Sequence, residues 1–300
     1  MFSLTILGCN SAIPSHGRNP TAQVLQTTDN SFLIDCGEGT QLQLSRFKIK
    51  KSKINHIFIS HLHGDHYFGL IGLLSSMSLL SRTSDLHLFG PAKLIDIINL
   101  QFAVADVVLN YPLHFHALND EGEIANTGKI SVECFKVSHR IDCWGFLFRE
   151  IKHPRSVLPE EAKRFDIPAA YFLELQKGKD YINKKGTIIS NESVTQAAKK
   201  GKSYAYCADT IYLESLAEKV KGVDLLYHET TYLKNQEEKA LSRYHSTTTQ
   251  AANIAKLANA GRLIIGHFSS KYDDVAPFLN EAMEVFENTV LAEEGTCYFL

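Results

Sequence analysis

The chain has 300 residues, 44% of them hydrophobic, enough to bury one large core or two small ones, and one α/β domain is the simpler expectation. Its 31 Lys and Arg against 33 Asp and Glu give a formal charge of −2, which argues against holding nucleic acid through bulk positive charge and leaves any such contact to local patches. The six cysteines, Cys9, Cys36, Cys134, Cys143, Cys207 and Cys297, contain no C-x-x-C pair, so neither a thiolate metal site nor a disulfide framework is suggested and a reduced, cytoplasmic setting is expected.

In chain order, residues 4–7 read as a first strand and 8–20 as a turn-rich loop. Leu7-Gly8-Cys9 superficially matches a lipoprotein box, but no basic segment precedes it and the apolar run is too short for a signal. Residues 22–25 and 32–34 read as a hairpin. Asp35-Cys36-Gly37-Glu38-Gly39-Thr40 follows as a glycine-bent turn into a short helix, in which Asp35 is expected to stabilise the turn, with support of the metal ligands as the alternative. Arg46, Lys48, Lys50, Lys51 and Lys53 are expected to be a solvated loop at the end of the sheet opposite the motif that comes next.

That motif is the densest chemical signal in the chain. Ile54, Ile57, Phe58 and Ile59 form the short apolar run of a buried strand, which leads directly into Ser60-His61-Leu62-His63-Gly64-Asp65-His66. In an extended segment His61, His63 and Asp65 share one side while Leu62 points into packing. Gly64 lets the chain turn, and residues 67–74 form an apolar stretch of helical length that holds Asp65 and His66 at its start. Imidazoles with a carboxylate suit zinc or a neighbouring first-row metal. The longest apolar run, 67–80, is interrupted by Gly69, Gly72 and serines and is too short to span a bilayer, so no membrane association is expected.

His61-Leu62-His63-Gly64-Asp65-His66 resembles the signature of the metallo-β-lactamase superfamily. The flanking Phe58-Ile59-Ser60 and Tyr67-Phe68-Gly69-Leu70 resemble its ribonuclease Z branch, the tRNA 3′-processing endonucleases. The N-terminal strand and loop and the turn at Asp35 are similar to those of the family as well.

Further along, 86–89 reads as a strand, Pro91 as the start of a helix to about 103, and 111–117 as another strand whose His114 and His116, with no Asp-His after them, are expected on an exposed face rather than as metal ligands. Residues 130–139 alternate as a strand delivering His139 at its tip, in the position of the family's third histidine motif. Residues 151–186, proline-punctuated and lysine-rich, break the rhythm and resemble the flexible arm that in this family grips tRNA, with Ala169-Ala170 where many members carry Gly-Pro. Then 204–210 ends at Asp209, 224–231 carries His228-Glu229-Thr230-Thr231, 243–252 is a helix start with Tyr244-His245-Ser246-Thr247, and 262–269 ends at His267. Each resembles a family motif.

The resemblance implies an αββα sandwich as one domain over residues 1–300, with the arm inserted at 151–186. It also implies two zinc ions per chain, one held by His61, His63 and His139, the other by Asp65, His66 and His267, with Asp209 bridging. Two metals about 3.5–4 Å apart clamp a phosphoryl group and lower the pKa of water toward about 7. His245 is the expected proton donor, oriented by Glu229, and Asp65 counts with them among the catalytic residues. The implied activity is an endoribonuclease acting on precursor tRNA as a homodimer. A phosphodiesterase for small diesters is the alternative, since the same centre serves both.

Overall fold

The computed structural model describes residues 2–151, 154–197 and 200–300; Lys152 and His153, which belong to the predicted insertion, lie outside the described residues. The chain forms two compact units. The larger comprises residues up to 125, 132–148 and 202–300, and the smaller 126–131 and 149–201.

Strands β1 (Phe2–Gly8), β2 (Ala22–Thr27), β3 (Ser31–Cys36), β4 (Ile54–Phe58), β5 (Leu86–Pro91) and β6 (Leu113–Leu118) belong to a first sheet. A second is built from β7 (Gly122–Asn126), β8 (Ile130–Val137), β9 (Cys143–Glu150), β10 (Ser203–Cys207), β11 (Leu225–Glu229), β12 (Leu263–Gly266) and β13 (Thr289–Leu291). The last strand, β14 (Cys297–Phe299), returns to the first sheet beside β1, giving the orders β14-β1-β2-β3-β4-β5-β6 and β13-β12-β11-β10-β9-β8-β7. β3 through β6 run parallel, as do β10 through β13. Parallel strands put all their C-terminal ends on one edge, which is where open α/β sheets bind ligands.

The inner faces of the sheets meet through aromatic rings. Phe58 packs on Phe146 and Phe148 with ring centres 5.4 and 5.3 Å apart, and Phe32 on Phe148 at 5.5 Å. Each fully buried ring is worth about 1.5–3 kcal/mol in transfer from water. On the outer face of the first sheet, Ile57, Ile59 and Leu88 pack against Leu70, Leu73 and Leu74 of one helix and Leu94 and Ile98 of the next. The helices of this layer are α1 (Thr40–Arg46), α2 (Gly64–Tyr67), α3 (Leu70–Leu79) and α4 (Leu94–Val104). Over the second sheet lie α5 (Thr248–Leu257), which buries Ala251, Ala252, Ile254 and Ala255, and α6 (Ala276–Met283), which buries Phe278. The order of layers is therefore helix, sheet, sheet, helix, the αββα sandwich expected above.

Three local expectations change. The helix expected from Pro91 starts at Leu94, because Pro91 is the last residue of β5, paired with Leu118, a strand-end place that suits a residue without an N–H. The single helix expected from Tyr67 is two helices, α2 and α3, separated at Phe68 and Gly69. The insertion reaches further than residue 186: the smaller unit has its own core of Ala162, Ile167, Leu175, Ile189 and Val194. It carries helices Pro159–Arg164, Phe172–Gln176 and Asn191–Val194, with Ala169 and Ala170 in a 3-10 turn. Its two ends abut, since a Cβ at Gly201 would fall 2.4 Å from the Glu150 carbonyl oxygen.

Candidate metal centre

The residues singled out in the sequence collect at the C-terminal edge of both sheets. His61 and His63 follow β4, and Asp65 and His66 occupy the first turn of α2. His139 follows β8, Asp209 follows β10, Glu229 ends β11 and His267 follows β12. His245 precedes α5, whose start is fixed by a capping box between Thr247 and Gln250. Leu62 packs into the apolar layer beneath the sheet, as alternation requires. The alternation breaks at Gly64, however, and Asp65 leaves the side shared by His61 and His63. Gly37 makes room for this turn, because a Cβ there would sit 2.4 Å from the Asp65 carbonyl oxygen.

Two groups result, with Asp209 between them. In the first, His61 Nε2 and His139 Nε2 lie 3.0 and 3.1 Å from His63 Nδ1. Asp209 Oδ2 faces them, 3.7 Å from His61 and 3.8 Å from His139. In the second, His66 Nε2 and His267 Nε2 are 3.3 Å apart, and Asp65 Oδ2 is 3.6 and 3.4 Å from them. Asp209 Oδ1 faces this group at 3.5 Å from His66 and 3.2 Å from His267. Four tetrahedral donors at zinc distances of about 2.0–2.1 Å are spaced about 3.3 Å apart. The observed edges, 3.0–3.8 Å, scatter around that value.

The hydrogen bonds behind the imidazoles decide which nitrogens face inward. His66 Nδ1–H donates to Asp35 Oδ2 at 2.7 Å, and His139 Nδ1–H to the Tyr244 carbonyl at 2.8 Å. The Ser60 hydroxyl gives its one proton to Asp35 Oδ2 at 2.9 Å and so accepts from His61 Nδ1 at 3.0 Å. Likewise Thr231 Oγ1 donates to Glu229 Oε2 at 2.8 Å and accepts from His267 Nδ1 at 2.9 Å. In each of these rings, when it is neutral, Nε2 is left with a lone pair aimed at the centre. Lone pairs and carboxylate oxygens repel one another at these distances, and Asp209 Oδ1 is buried without a hydrogen-bond partner. A cation resolves both conflicts, so these residues fit a metal, and the pattern of carboxylate, histidine and inward nitrogen is that of metal sites generally.

Asp35 is here corrected. Instead of stabilising a turn, it is fully buried, adopts φ 55°, and accepts from the Ser60 amide at 2.7 Å and the Tyr206 hydroxyl at 2.6 Å as well as from Ser60 Oγ and His66. It orients two of the inward-facing histidines, one directly and one through Ser60. The supporting Ser60, Tyr206 and Thr231, and the Ala12 amide that donates to Asp65 Oδ2 at 2.7 Å, escaped the sequence reading. Only Thr231, two residues after Glu229 at a strand end, carried a signal that could have been used. Ala208, beside Asp209, has no positive φ, whereas His267 does, at 61°.

Charge follows the same plan. Burial holds His61 well below its ordinary pKa, and burial with the neighbouring His139 brings His63 down to about 4, so the first group is neutral and ready to ligate. Burial opposes ionisation of Asp65 and Asp209, yet the surrounding imidazoles keep both carboxyls well below the carboxylate range. His66 is held well above the imidazole range: burial opposes its charge, but Asp209, Asp65 and Asp35 outweigh it. Beside the two groups, His245 Nδ1 lies 3.1 Å from Glu229 Oε1 and 3.9 Å from Asp209 Oδ2. Its pKa is raised to about 9, burial being outweighed by Glu229. Glu229 is fully buried and also accepts from the amides of Thr210, Thr231 and Ser246.

A family model described as "Anti-Pycsar protein Apyc1" matches residues 2–153, a stretch that contains the His61–His66 motif and His139 but ends before Asp209, Glu229, His245 and His267. Relatives that align throughout carry another name. "Ribonuclease Z" of Cytophaga hutchinsonii is 45% identical over 306 residues, covering 100% of this chain and 96% of the relative. "Ribonuclease Z" of Bacteroides thetaiotaomicron is 40% identical over 298 residues, covering 99% and 94%. Among solved structures, human tRNase Z, short form, superposes with a TM-score of 0.72 at 26% identity, covering 99% of this chain and 98% of that one. The metallo-β-lactamase fold protein YhfI from Bacillus subtilis reaches 0.70 at 20% identity, covering 100% of each chain, which bears on fold alone. At 40–45% identity over nearly the whole of both chains, the chain belongs to the ribonuclease Z family.

Proposed function

We propose that the protein is a zinc-dependent endoribonuclease that removes the 3′ trailer of precursor tRNA and leaves a 3′-hydroxyl. The observation that carries this reading is the Asp209 carboxylate, with one oxygen toward each ligand group and the Glu229–His245 pair at its side. In this reading His61, His63 and His139 hold one zinc, Asp65, His66 and His267 the other, and Asp209 both. Such a pair, when bound, offsets the charge of a phosphodiester and lowers the pKa of water toward about 7. His245 keeps its Nδ1–H on Glu229 and uses its other nitrogen to protonate the departing ribose oxygen. Asp65, fixed by the Ala12 amide, borders the same space and acts with them.

The smaller unit is the proposed grip on tRNA. Lys163, Lys184 and Lys185 are exposed on it, while Lys177 and Lys179 pair with Glu174 and Arg164 with Glu161. Such exposed pairs are weak and can be exchanged for phosphate. A homodimer is supported by apolar side chains left exposed on the helices over the first sheet, among them Leu42, Leu79 and Leu100. A cytoplasmic setting is supported by six unpaired cysteines; among the described residues no helix is long and apolar enough to cross a membrane.

The test is cleavage of a 3′-extended precursor tRNA with both product ends mapped. A single cut after the acceptor stem, with a 3′-hydroxyl, is expected. The second reading is a phosphodiesterase for small diesters, because the same paired ligand groups would serve either kind of diester. Hydrolysis of a chromogenic diester without any precursor-tRNA cleavage would replace the first reading by the second.

A further inference from the structure

Away from the centre, four of the chain's 13 histidines stand on one face of the first sheet. His56 of β4 is in register with His87 of β5, and His87 with His114 of β6; His116 follows on the same face, opposite Phe89. Their rings stack in a row: His56 on His87 at 5.2 Å, His87 on His114 at 5.0 Å, and His116 on Phe89 at 4.4 Å. This is the same face that carries Phe32 and Phe58. Where the aromatic residues of the second sheet cover it the residues are phenylalanine, and beyond that cover they are histidine.

We propose that His87 and His116 form a peripheral binding site for a borderline first-row divalent cation, zinc, nickel or copper, separate from the catalytic centre and tying the edge strand β6 to β5. The geometry is that of a chelating pair. His87 Nδ1 and His116 Nε2 are 3.1 Å apart, the spacing found between the inward nitrogens of the catalytic centre, 3.0 and 3.1 Å. Two imidazole nitrogens about 2.0–2.1 Å from one ion at angles of 90–109° are separated by about 2.9–3.4 Å. His116 is exposed, so water completes the coordination shell. His114 Nε2–H donates to Asp85 Oδ2 at 3.1 Å, which places a carboxylate beside the row. His56 Nδ1 is buried without a hydrogen-bond partner, a further nitrogen at the inner end of the row. Burial, with repulsion from neighbouring imidazoles, also lowers the basicity of His56, His87 and His116, which favours neutral rings, each with one nitrogen free of a proton.

The competing explanation is that the two rings merely share an N–H···N hydrogen bond while lining the rim of the sandwich. Zinc-loaded protein given one equivalent of Cu2+ separates the two, because an open pair of imidazole nitrogens takes copper at once, whereas the catalytic nitrogens must first release zinc. The parent is expected to take up one Cu2+ beyond its zinc, with nitrogen hyperfine coupling in its electron paramagnetic resonance spectrum and no zinc released. His116→Phe keeps a ring on Phe89 and removes both nitrogens, and His87→Gln removes the other donor. Each should weaken this copper site about tenfold or more, in line with the loss of one ligand group, and leave phosphodiester hydrolysis unchanged. Copper taken up only by displacing zinc, or bound as tightly by both variants as by the parent, overturns the proposal.

Discussion

Replacing Asp35 should empty part of the metal centre without any ligand being touched. The carboxylate receives four hydrogen bonds, from the Ser60 amide, the Ser60 hydroxyl, His66 Nδ1 and the Tyr206 hydroxyl. In Asp35→Ala the Ser60 hydroxyl can turn toward His61 or His66, 3.0 and 3.4 Å away, but the Ser60 amide and the Tyr206 hydroxyl keep no alternative. Two orphaned buried donors cost about 2–6 kcal/mol, a large part of the 5–15 kcal/mol that holds an ordinary domain together. Alanine must also adopt φ 55°. Asp35→Asn is the sharper probe, since asparagine tolerates that backbone and fills the same volume. Its amide nitrogen, however, must face a donor, and His66 loses the charge that holds its proton on Nδ1. Metal affinity at the Asp65, His66 and His267 group is then expected to fall about 10–100-fold with the fold retained. Chelator competition followed by elemental analysis measures the first, and a circular dichroism melt the second. Parent-like metal affinity in Asp35→Asn would refute the argument and return Asp35 to the role of a turn residue.

Asp209→Ala should lose most of both metals, because each ligand group has one of its oxygens; elemental analysis showing one metal retained at full occupancy contradicts the bridge. His245→Ala should keep the metals while kcat on precursor tRNA falls about 10²–10⁴-fold, measured in single-turnover assays. Its pKa being raised to about 9 by Glu229, the donor is charged at neutral pH and is lost as pH rises through that value, or through a lower one when cations are bound nearby. The alkaline fall in kcat should therefore be missing from the residual activity of His245→Ala. Because Gly201 lies against Glu150, residues 152–200 can be replaced by a short Gly/Ser linker. That protein should no longer cleave precursor tRNA yet should hydrolyse a chromogenic diester within about tenfold of the parent, and equal loss on both substrates would mean the smaller unit supports the fold. Binding of precursor tRNA by the intact protein should weaken steeply with salt in a filter-binding assay.

The ends of buried parallel strands were legible because apolar runs stop abruptly at polar residues. Ile57-Phe58-Ile59 before Ser60-His61 and Leu263-Ile264-Ile265 before Gly266-His267 both showed where a strand ends and which side chain its tip presents. What joins those tips was not legible. Nothing local in Asp35, Ser60 or Tyr206 says that strands β3, β4 and β10 bring them within one hydrogen-bonded cluster, because that depends on register between sheets far apart in sequence. Pro91 misled for a local reason: a proline opens helices and closes strands with equal ease, and the pairing with Leu118 decided the matter. The short strands of the smaller unit, two residues each, are too brief for any periodicity to register. His114 and His116, read as exposed residues of a strand rather than as metal ligands, are both exposed, but alternation within one strand could not bring His56 and His87 beside them.

The ligand groups run from His61 to His267, so the centre cannot be finished until most of the chain has been made. Neither group is complete before its contribution from the second sheet has emerged: His139 and Asp209 for the first, Asp209 and His267 for the second. A cation bound there closes a loop spanning most of the sequence, and such closure removes more freedom from the unfolded chain the longer the loop. It follows that metal availability should govern how much protein accumulates as well as how fast it works. In cells starved of metal, late-folding chains with an open edge and an uncompensated carboxylate cluster would reach proteases before they reach substrate.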